Sequence, residues 1–309
     1  MKDLRIVFMG TPEFAVPSLQ KLVENGFNVV AVITAPDKPQ GRGKKLGTSP
    51  VKDYAVSVNI PVLQPTNLKS PEFQEELKSY KADLQIVVAF RMLPEAVWNM
   101  PPLGSFNLHG SLLPDYRGAA PINWAIINGE KETGVTTFKL KHEIDTGNIL
   151  LQHVEPIKYE DTVGTVYERL MNKGADLVVE SVKKIQSGDY ELKPQPQVSE
   201  DKHAPKIFRE DCEINWDQPS EKVRDFIRGL SPYPAAWTTL DELTFKVFMA
   251  EKSERNYNAS PGSFHSDGKK YIDVVTADGA LSLTDVQLQG KRKMLTEEFL
   301  RGYHWKDEH

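Results

Sequence analysis

The sequence predicts an α/β protein in two parts: a Rossmann-like domain with a mostly parallel sheet, joined to a small C-terminal OB-like β-barrel. Three observations carry that prediction. Short runs rich in Val and Ile, separated by helical patterns, fill the first half, and buried parallel strands read as such runs. A long amphipathic stretch then gives way to a segment, 189–205, with three prolines and little periodicity. Beyond it, short β segments recur around Asp-Gly dipeptides, a favoured hairpin turn. The boundaries read as a first domain over 1–189, a linker over 190–206 and a second domain over 207–309.

The elements follow in order. Leu4–Met9 is a compact apolar strand, and Gly10-Thr11-Pro12 turns it into a helix over Phe14 to Leu22 that Asn25-Gly26 stops. Pro12 is expected in the first helical turn. Val29–Ile33, Leu84–Phe90, Ser105–Leu108, Val135–Leu140 and Ile149–Ile157 read as further strands. Val163, Val166, Tyr167, Leu170, Met171, Leu177, Val178, Val182 and Ile185 recur at three- and four-residue spacing, which predicts one long helix. Asp161 and Thr162 are its cap candidates and Gly188 its stop. In the second domain, Asp267-Gly268 and Asp278-Gly279 separate Gly262–His265, Tyr271–Thr276 and Ala280–Leu288. Closely spaced β segments of this kind suggest a small barrel. Trp216 and Trp237 are expected in its core, and His203, His265, His304 and His309 at its surface.

Composition narrows the function. One cysteine among 309 residues excludes an intramolecular disulfide and a thiolate zinc cluster, and no metal is implied. A reducing, cytoplasmic setting is expected. No stretch approaches the roughly 20 apolar residues of a membrane span. The turn after the first strand holds a single glycine, and Pro12 removes a backbone N–H. A dinucleotide fingerprint needs more glycines at that place, and no Gly-x-x-x-x-Gly-Lys loop signals an ATPase. The net charge of −5 means that any nucleic-acid contact must come from local basic patches.

One stretch carries candidate chemistry. In Phe106-Asn107-Leu108-His109-Gly110, alternation along a strand puts Asn107 and His109 on the same side, roughly 7 Å apart. A histidine can move a proton near neutrality. An asparagine N–H can stabilise a developing oxyanion. Together they suit acyl transfer to an amine. A carboxylate beside the histidine would favour its charged form and orient it. Asp145, in Ile144-Asp145-Thr146-Gly147 between two strands, is the candidate. On residue chemistry alone, an Asn-x-His at a strand end is more often a hydrogen-bonded loop anchor.

The combination of Asn107-Leu108-His109, Ser111-Leu112-Leu113-Pro114, Tyr116-Arg117-Gly118 and Asp145-Thr146-Gly147 resembles the folate-dependent formyltransferases. The resemblance covers essentially the whole chain and is strongest to members acting on methionyl-tRNA. It includes Phe8 to Pro17, Ala35 to Pro39, Gly41 to Lys45, Gly118 to Ile122, Ile214-Asn215-Trp216 and Gly229 to Trp237. It implies 10-formyltetrahydrofolate as formyl donor and the amine of initiator methionyl-tRNA as acceptor, with no membrane and no obligatory protein partner. It gives His109 the proton transfer, Asn107 the tetrahedral oxygen, and Asp145 the tuning and orientation of His109. Folate would lie against Ser111, Leu112, Leu113 and Pro114 and the backbone around Phe90, Arg91 and Leu93. Phe90-Arg91 stands where many members carry Tyr-Gly.

The acceptor side rests on charge. Lys38, Arg42, Lys44 and Lys45 crowd between Pro36 and Leu46, with Gly41 and Gly43 flanking Arg42. Such a loop suits a phosphate backbone, and the resemblance places Arg42 near the end of the acceptor stem. Lys291-Arg292-Lys293 and Lys269-Lys270 are second candidates. Two other functions compete. One is formylation of an amino sugar or other small amine, which leaves the basic loop and barrel without a purpose. The other is a non-catalytic RNA-binding protein, which leaves Asn107, His109 and Asp145 unexplained.

Overall fold

The structure is a computed structural model that describes residues 3–40, 45–196 and 202–305. The described residues gather into two compact units. The first holds residues up to Gly118, Thr133–Glu155 and Glu168–Lys202. The second holds Ala119–Glu132, Pro156–Tyr167 and the residues from His203 onward.

In chain order the first unit is built from β1 (Arg5–Gly10), α1 (Val16–Glu24), β2 (Asn28–Ile33), the short strands β3 (Lys38–Gln40) and β4 (Lys45–Gly47), and α2 (Pro50–Ser57). Then come β5 (Val62–Leu63), α3 (Pro71–Ser79), β6 (Leu84–Val88), α4 (Glu95–Trp98), β7 (Ser105–His109) and β8 (Arg117–Gly118). After α5 (Pro121–Ile127), which clusters with the second unit, follow β9 (Glu132–Lys139), β10 (Ile149–Pro156) and α6 (Val163–Ser187). Seven strands form one sheet in the order β10-β9-β7-β6-β1-β2-β5. β1 pairs parallel with β2 and β6, β6 with β7, and β2 with β5, while β9 runs antiparallel to β7. The mostly parallel sheet is therefore present. Strand order reverses between β1 and β6, and ligands bind open α/β sheets at the carboxyl ends of strands near such a reversal.

Local sequence explains the turns. A Cβ added to Gly10 would lie 2.7 Å from the Ala15 Cβ and 3.0 Å from the Val88 carbonyl, so this glycine serves close packing. Pro12 precedes the first helical turn instead of sitting in it: its backbone is extended, and its carbonyl accepts the Ala15 N–H at 3.0 Å. Pro12's fixed φ suits that capping position as well as the turn itself. Val7, Met9, Ile33, Phe73, Leu77, Val87 and Val97 lie in one apolar cluster of this unit. Gly188, with φ of +74°, follows the end of α6, where a left-handed residue ends a helix without a Cβ clash.

The second unit contains α5, β11 (His203–Ala204), α7 (Ser220–Gly229), β12 (Ala236–Leu240), β13 (Leu243–Lys252), β14 (Phe264–Ser266), β15 (Ile272–Thr276), β16 (Gly279–Leu288), β17 (Met294–Leu295) and α8 (Thr296–Arg301). Its antiparallel sheet runs β12-β13-β16-β15-β14, with β17 added to β16, an OB-like half-barrel. Trp216 is buried in its core, with Trp237 packed against it. The Asp267-Gly268 turn is held by Asp267 Oδ1, which accepts the Lys269 and Lys270 N–H groups at 2.9 and 2.7 Å. His265 departs from the surface expected of it: its ring stacks on Tyr257 at 4.1 Å, and its Nε2 is buried. The Tyr257 ring covers the imidazole face that alternation along β14 would have left in water.

Candidate active site

β7 delivers its two polar side chains to the carboxyl edge of the sheet. Leu108 points away from them and packs on α6, where a Cβ at Gly174 would lie 2.7 Å from Leu108 Cδ2. Asn107 and His109 therefore share the opposite face. Asn107 is half-buried, and its carboxamide makes no hydrogen bond among the described residues. His109 is 6% exposed. Its Nε2 lies 2.9 Å from the Tyr116 carbonyl. A carbonyl can only accept, so Nε2 carries the hydrogen and Nδ1 carries the lone pair. Nδ1 faces Asp145 Oδ2 across 3.8 Å. That distance is too long for a hydrogen bond, but a proton arriving at Nδ1 would sit opposite a carboxylate with little water between them.

Asp145 is aimed by its backbone. Its φ is +54°, a left-handed conformation that Asp tolerates better than most residues. Its Oδ2 accepts the Gly118 N–H at 3.0 Å. The loop between His109 and Gly118 is equally constrained. Ser111 Oγ donates to the Asp115 carbonyl at 2.6 Å, and Thr136 Oγ1 donates to the Ser111 carbonyl at 2.7 Å. The Leu113 N–H donates to Thr136 Oγ1 at 3.1 Å, and Gln152 Nε2 to the Leu113 carbonyl at 2.9 Å. The Tyr116 N–H donates to the Lys202 carbonyl at 2.7 Å. A proton acceptor, a free amide and a facing carboxylate thus stand on a rigid frame, equipment for acyl transfer to an amine.

Residues 4–182 match the formyl transferase family, and residues 206–304 match the formyl transferase C-terminal domain. The chain belongs to the formyltransferase family. It is 55% identical to a methionyl-tRNA formyltransferase of Bacteroides fragilis, over 98% of this chain and 96% of that one. It is 57% identical to the methionyl-tRNA formyltransferase of Parabacteroides distasonis, over the same shares of 98% and 96%. Among solved structures, the sugar 3N-formyl transferase WlaRD matches with a TM-score of 0.68 at 21% identity, covering 94% of this chain and 100% of its own. HypX from Aquifex aeolicus, in complex with tetrahydrofolic acid, matches with a TM-score of 0.66 at 20% identity, covering 97% and 47%. These two share the fold.

The backbone N–H and C=O groups of Phe90, Arg91, Met92 and Leu93 make no hydrogen bonds among the described residues. Leu93 is buried, while Met92 is 72% exposed. Arg91 turns its guanidinium to the Pro65 and Thr66 carbonyls, so it braces this loop against the one after β5. Ser111 and Leu113 face inward, while Leu112 and Pro114 are half-buried.

The basic segment of this formyltransferase is bounded by two short paired strands. β3 and β4 pair antiparallel, with Lys38 opposite Gly47 and Pro39 opposite Leu46. Lys38 sits at the base. Arg42 and Lys44 lie outside the described residues, as does the side chain of Lys45. Asp37, just before β3, takes Lys52 Nζ at 2.5 Å and Gln64 Nε2 at 2.7 Å, and these hydrogen bonds hold its carboxyl below the usual range. In the half-barrel, Arg292 pairs with Glu298, and Lys293 lies 3.5 Å from Asp285. That second basic cluster is largely neutralised.

Residue chemistry missed Tyr116, Thr136 and Gln195. Tyr116 and Thr136 act through a carbonyl and a buried hydroxyl, which leave no pattern in sequence. Gln195 lies inside the stretch read as a linker. Its Nε2 donates to the carbonyls of Asp145 and Gly147 at 2.9 and 2.7 Å.

Proposed function

We infer that this formyltransferase moves the formyl group of 10-formyltetrahydrofolate onto the α-amino group of methionyl-initiator-tRNA, giving N-formylmethionyl-tRNA. The observation that carries the chemistry is His109 Nδ1 facing Asp145 Oδ2 at 3.8 Å, with the Asn107 carboxamide open beside it. The acceptor follows from the relatives at 55% and 57% identity, which align with nearly the whole chain.

The donor supplies an activated formyl carbon. The unpaired backbone of Phe90 to Leu93 fits a pterin, whose edge alternates donors and acceptors. Leu112 and Pro114 offer an apolar wall. A free α-amino group titrates at about 7.7–8.0, so a usable minority is neutral near pH 7, and the amine attacks in that form. As its nitrogen bonds to the formyl carbon, the carbonyl oxygen gains negative charge, and the Asn107 N–H stabilises it. The nitrogen's proton passes to His109 Nδ1, and Asp145 stabilises the imidazolium. The bond to the folate nitrogen breaks as that nitrogen regains a proton. Lys38, Arg42, Lys44 and Lys45 hold the tRNA backbone. In this reading 1–189 is catalytic, 190–206 connects, and 207–309 assists tRNA binding. Among the described residues no helix is long and apolar enough to cross a membrane, and the setting is the cytoplasm.

The test is direct. The protein is incubated with 10-formyltetrahydrofolate and aminoacylated initiator tRNA, with elongator methionyl-tRNA and an amino sugar as controls. Formylation of initiator methionyl-tRNA is expected. Formylation of the sugar and not the tRNA would overturn the acceptor, and no formylation of any amine would overturn the chemistry.

A further inference from the structure

Asp145 sits in a turn whose leading side is open to solvent. The four residues before it, Lys141, His142, Glu143 and Ile144, are exposed, and Ile144 is 59% so. The backbone at Asp145 is left-handed, a sparsely populated conformation that persists only where its surroundings enforce it. What enforces it is hydrogen bonding. The Gln195 carboxamide donates through Nε2 to the Asp145 and Gly147 carbonyls. Its Oε1 accepts from Arg117 Nε at 3.1 Å and Nη2 at 2.5 Å. The next residue, Gly118, donates its N–H to the Asp145 carboxylate. Asp145 is thus held at both ends, by its carbonyl through Gln195 and by its side chain through Gly118. Arg117 joins the two arms, closing a ring of hydrogen bonds.

Gln195 is itself placed firmly. Lys193, two residues earlier, exchanges two backbone hydrogen bonds with Ile149, at 2.7 and 2.8 Å. Pro194 and Pro196 flank it and fix φ on either side. Only a carboxamide can donate twice and accept twice in this way. Asparagine is one methylene shorter. Glutamate keeps the acceptor for Arg117 but turns an anion toward two carbonyls.

We propose that Gln195 is a positioning residue for formyl transfer, fixing the Asp145 turn against Arg117 so that the carboxylate stays opposite His109 Nδ1. This rests on the reading of His109 and Asp145 as the proton-transfer pair. The effect should fall on the chemical step and leave substrate binding alone.

The experiment is a double-mutant cycle with full-length Gln195→Ala, Asp145→Asn and the double variant. Initial rates are measured against 10-formyltetrahydrofolate and initiator methionyl-tRNA, beside thermal unfolding. Gln195→Ala should lower kcat about 10- to 100-fold, the usual cost of losing a partner that orients a reacting group. KM for both substrates should stay within about twofold. In the Asp145→Asn background the same change should do little more, because the two act as one unit. Gln195→Glu should be at least as slow as Gln195→Ala. The proposal falls if Gln195→Ala keeps full kcat, if the two substitutions multiply, or if kcat, KM and the unfolding midpoint all worsen together. A slow Asp145→Asn beside a fast Gln195→Ala would remove the clamp alone. A fast Asp145→Asn would remove the proton-transfer reading, and the clamp with it.

Discussion

Asp145 and Asp273 are both sheltered carboxylates, and they are held in opposite ways. Asp273, on β15 of the half-barrel, is fully buried. Its Oδ2 accepts from Ser253 Oγ, from Tyr257 OH at 2.8 Å and from Arg255 Nη1 at 3.1 Å. Arg255 also lies over the Tyr271 ring at 3.6 Å. Burial, and then the bond to Asp273, push the Tyr257 phenol far up, so it remains a permanent donor. Asp145 instead takes one backbone N–H and faces an imidazole at 3.8 Å. A carboxylate with three fixed donors on one oxygen belongs to the fold, although Asp273 Oδ1 is buried without a hydrogen-bond partner among the described residues. One whose main neighbour can change its protonation state is placed to answer a charge that appears only during reaction. We read the number of fixed donors, more than depth, as what distinguishes Asp273 from Asp145.

The strongest way to break that contrast is at His109. His109→Ala should lower kcat by about 10²–10⁴-fold, the usual worth of a positioned proton acceptor. Asn107→Ala should follow at about 10²–10³-fold, the loss typical of one oxyanion donor. Initial rates of formyl transfer to initiator methionyl-tRNA measure both. An enzyme that formylates at full rate without His109 would move the chemistry elsewhere.

Asp273 should respond in the other currency. Asp273→Ala leaves Ser253, Arg255 and Tyr257 without their shared acceptor. Arg255 is 48% exposed and can return to water, so the cost falls mainly on half-buried Ser253 and Tyr257, about 1–3 kcal/mol. Urea unfolding should show that loss, while kcat per folded molecule stays near the parent value. A variant of unchanged stability and lowered kcat would put Asp273 on the functional side of the comparison.

The parts of this site that follow local rules are legible in the sequence. Alternation along β7 alone places Asn107 and His109 on one face, and the apolar runs delimit the parallel strands. Asp145 entered as a candidate on its chemistry and its place between two strands, and the resemblance gave it its role, since a turn of this composition is common. Gln195 was hidden for a physical reason. Gln195 meets Asp145 across 50 positions and Arg117 across 78, and a hydrogen bond at that separation imposes no periodicity on either segment. Two flanking prolines also read more readily as a linker. The pairing of β3 with β4 was concealed by Pro39, because a proline argues against a paired strand except at an edge.

Glu155 tests whether the donor count also works inside the catalytic unit. It is 4% exposed, and it takes Arg169 Nε at 2.6 Å and Lys173 Nζ at 2.5 Å. Burial pushes its carboxyl up, but the hydrogen bonds from Lys173 and Arg169 outweigh that and leave it below the ordinary range. By its donors it should be structural, like Asp273. The folded state then binds its proton less readily than the unfolded chain, whose glutamate titrates at about 4.3. The stabilisation is therefore complete above that value and drains away as pH falls through the lower, folded value. Glu155→Gln should be less stable than the parent by about 1–2 kcal/mol at neutral pH, discounted because both cations are partly exposed. The gap should close as pH drops below about 4, with formyl transfer at neutral pH unchanged. Urea unfolding of both proteins from pH 7 to pH 3 would reveal it. A gap that stays constant across that range would mean the loss comes from packing. A loss of kcat in Glu155→Gln would show that the donor count does not separate structural from functional acids in this unit.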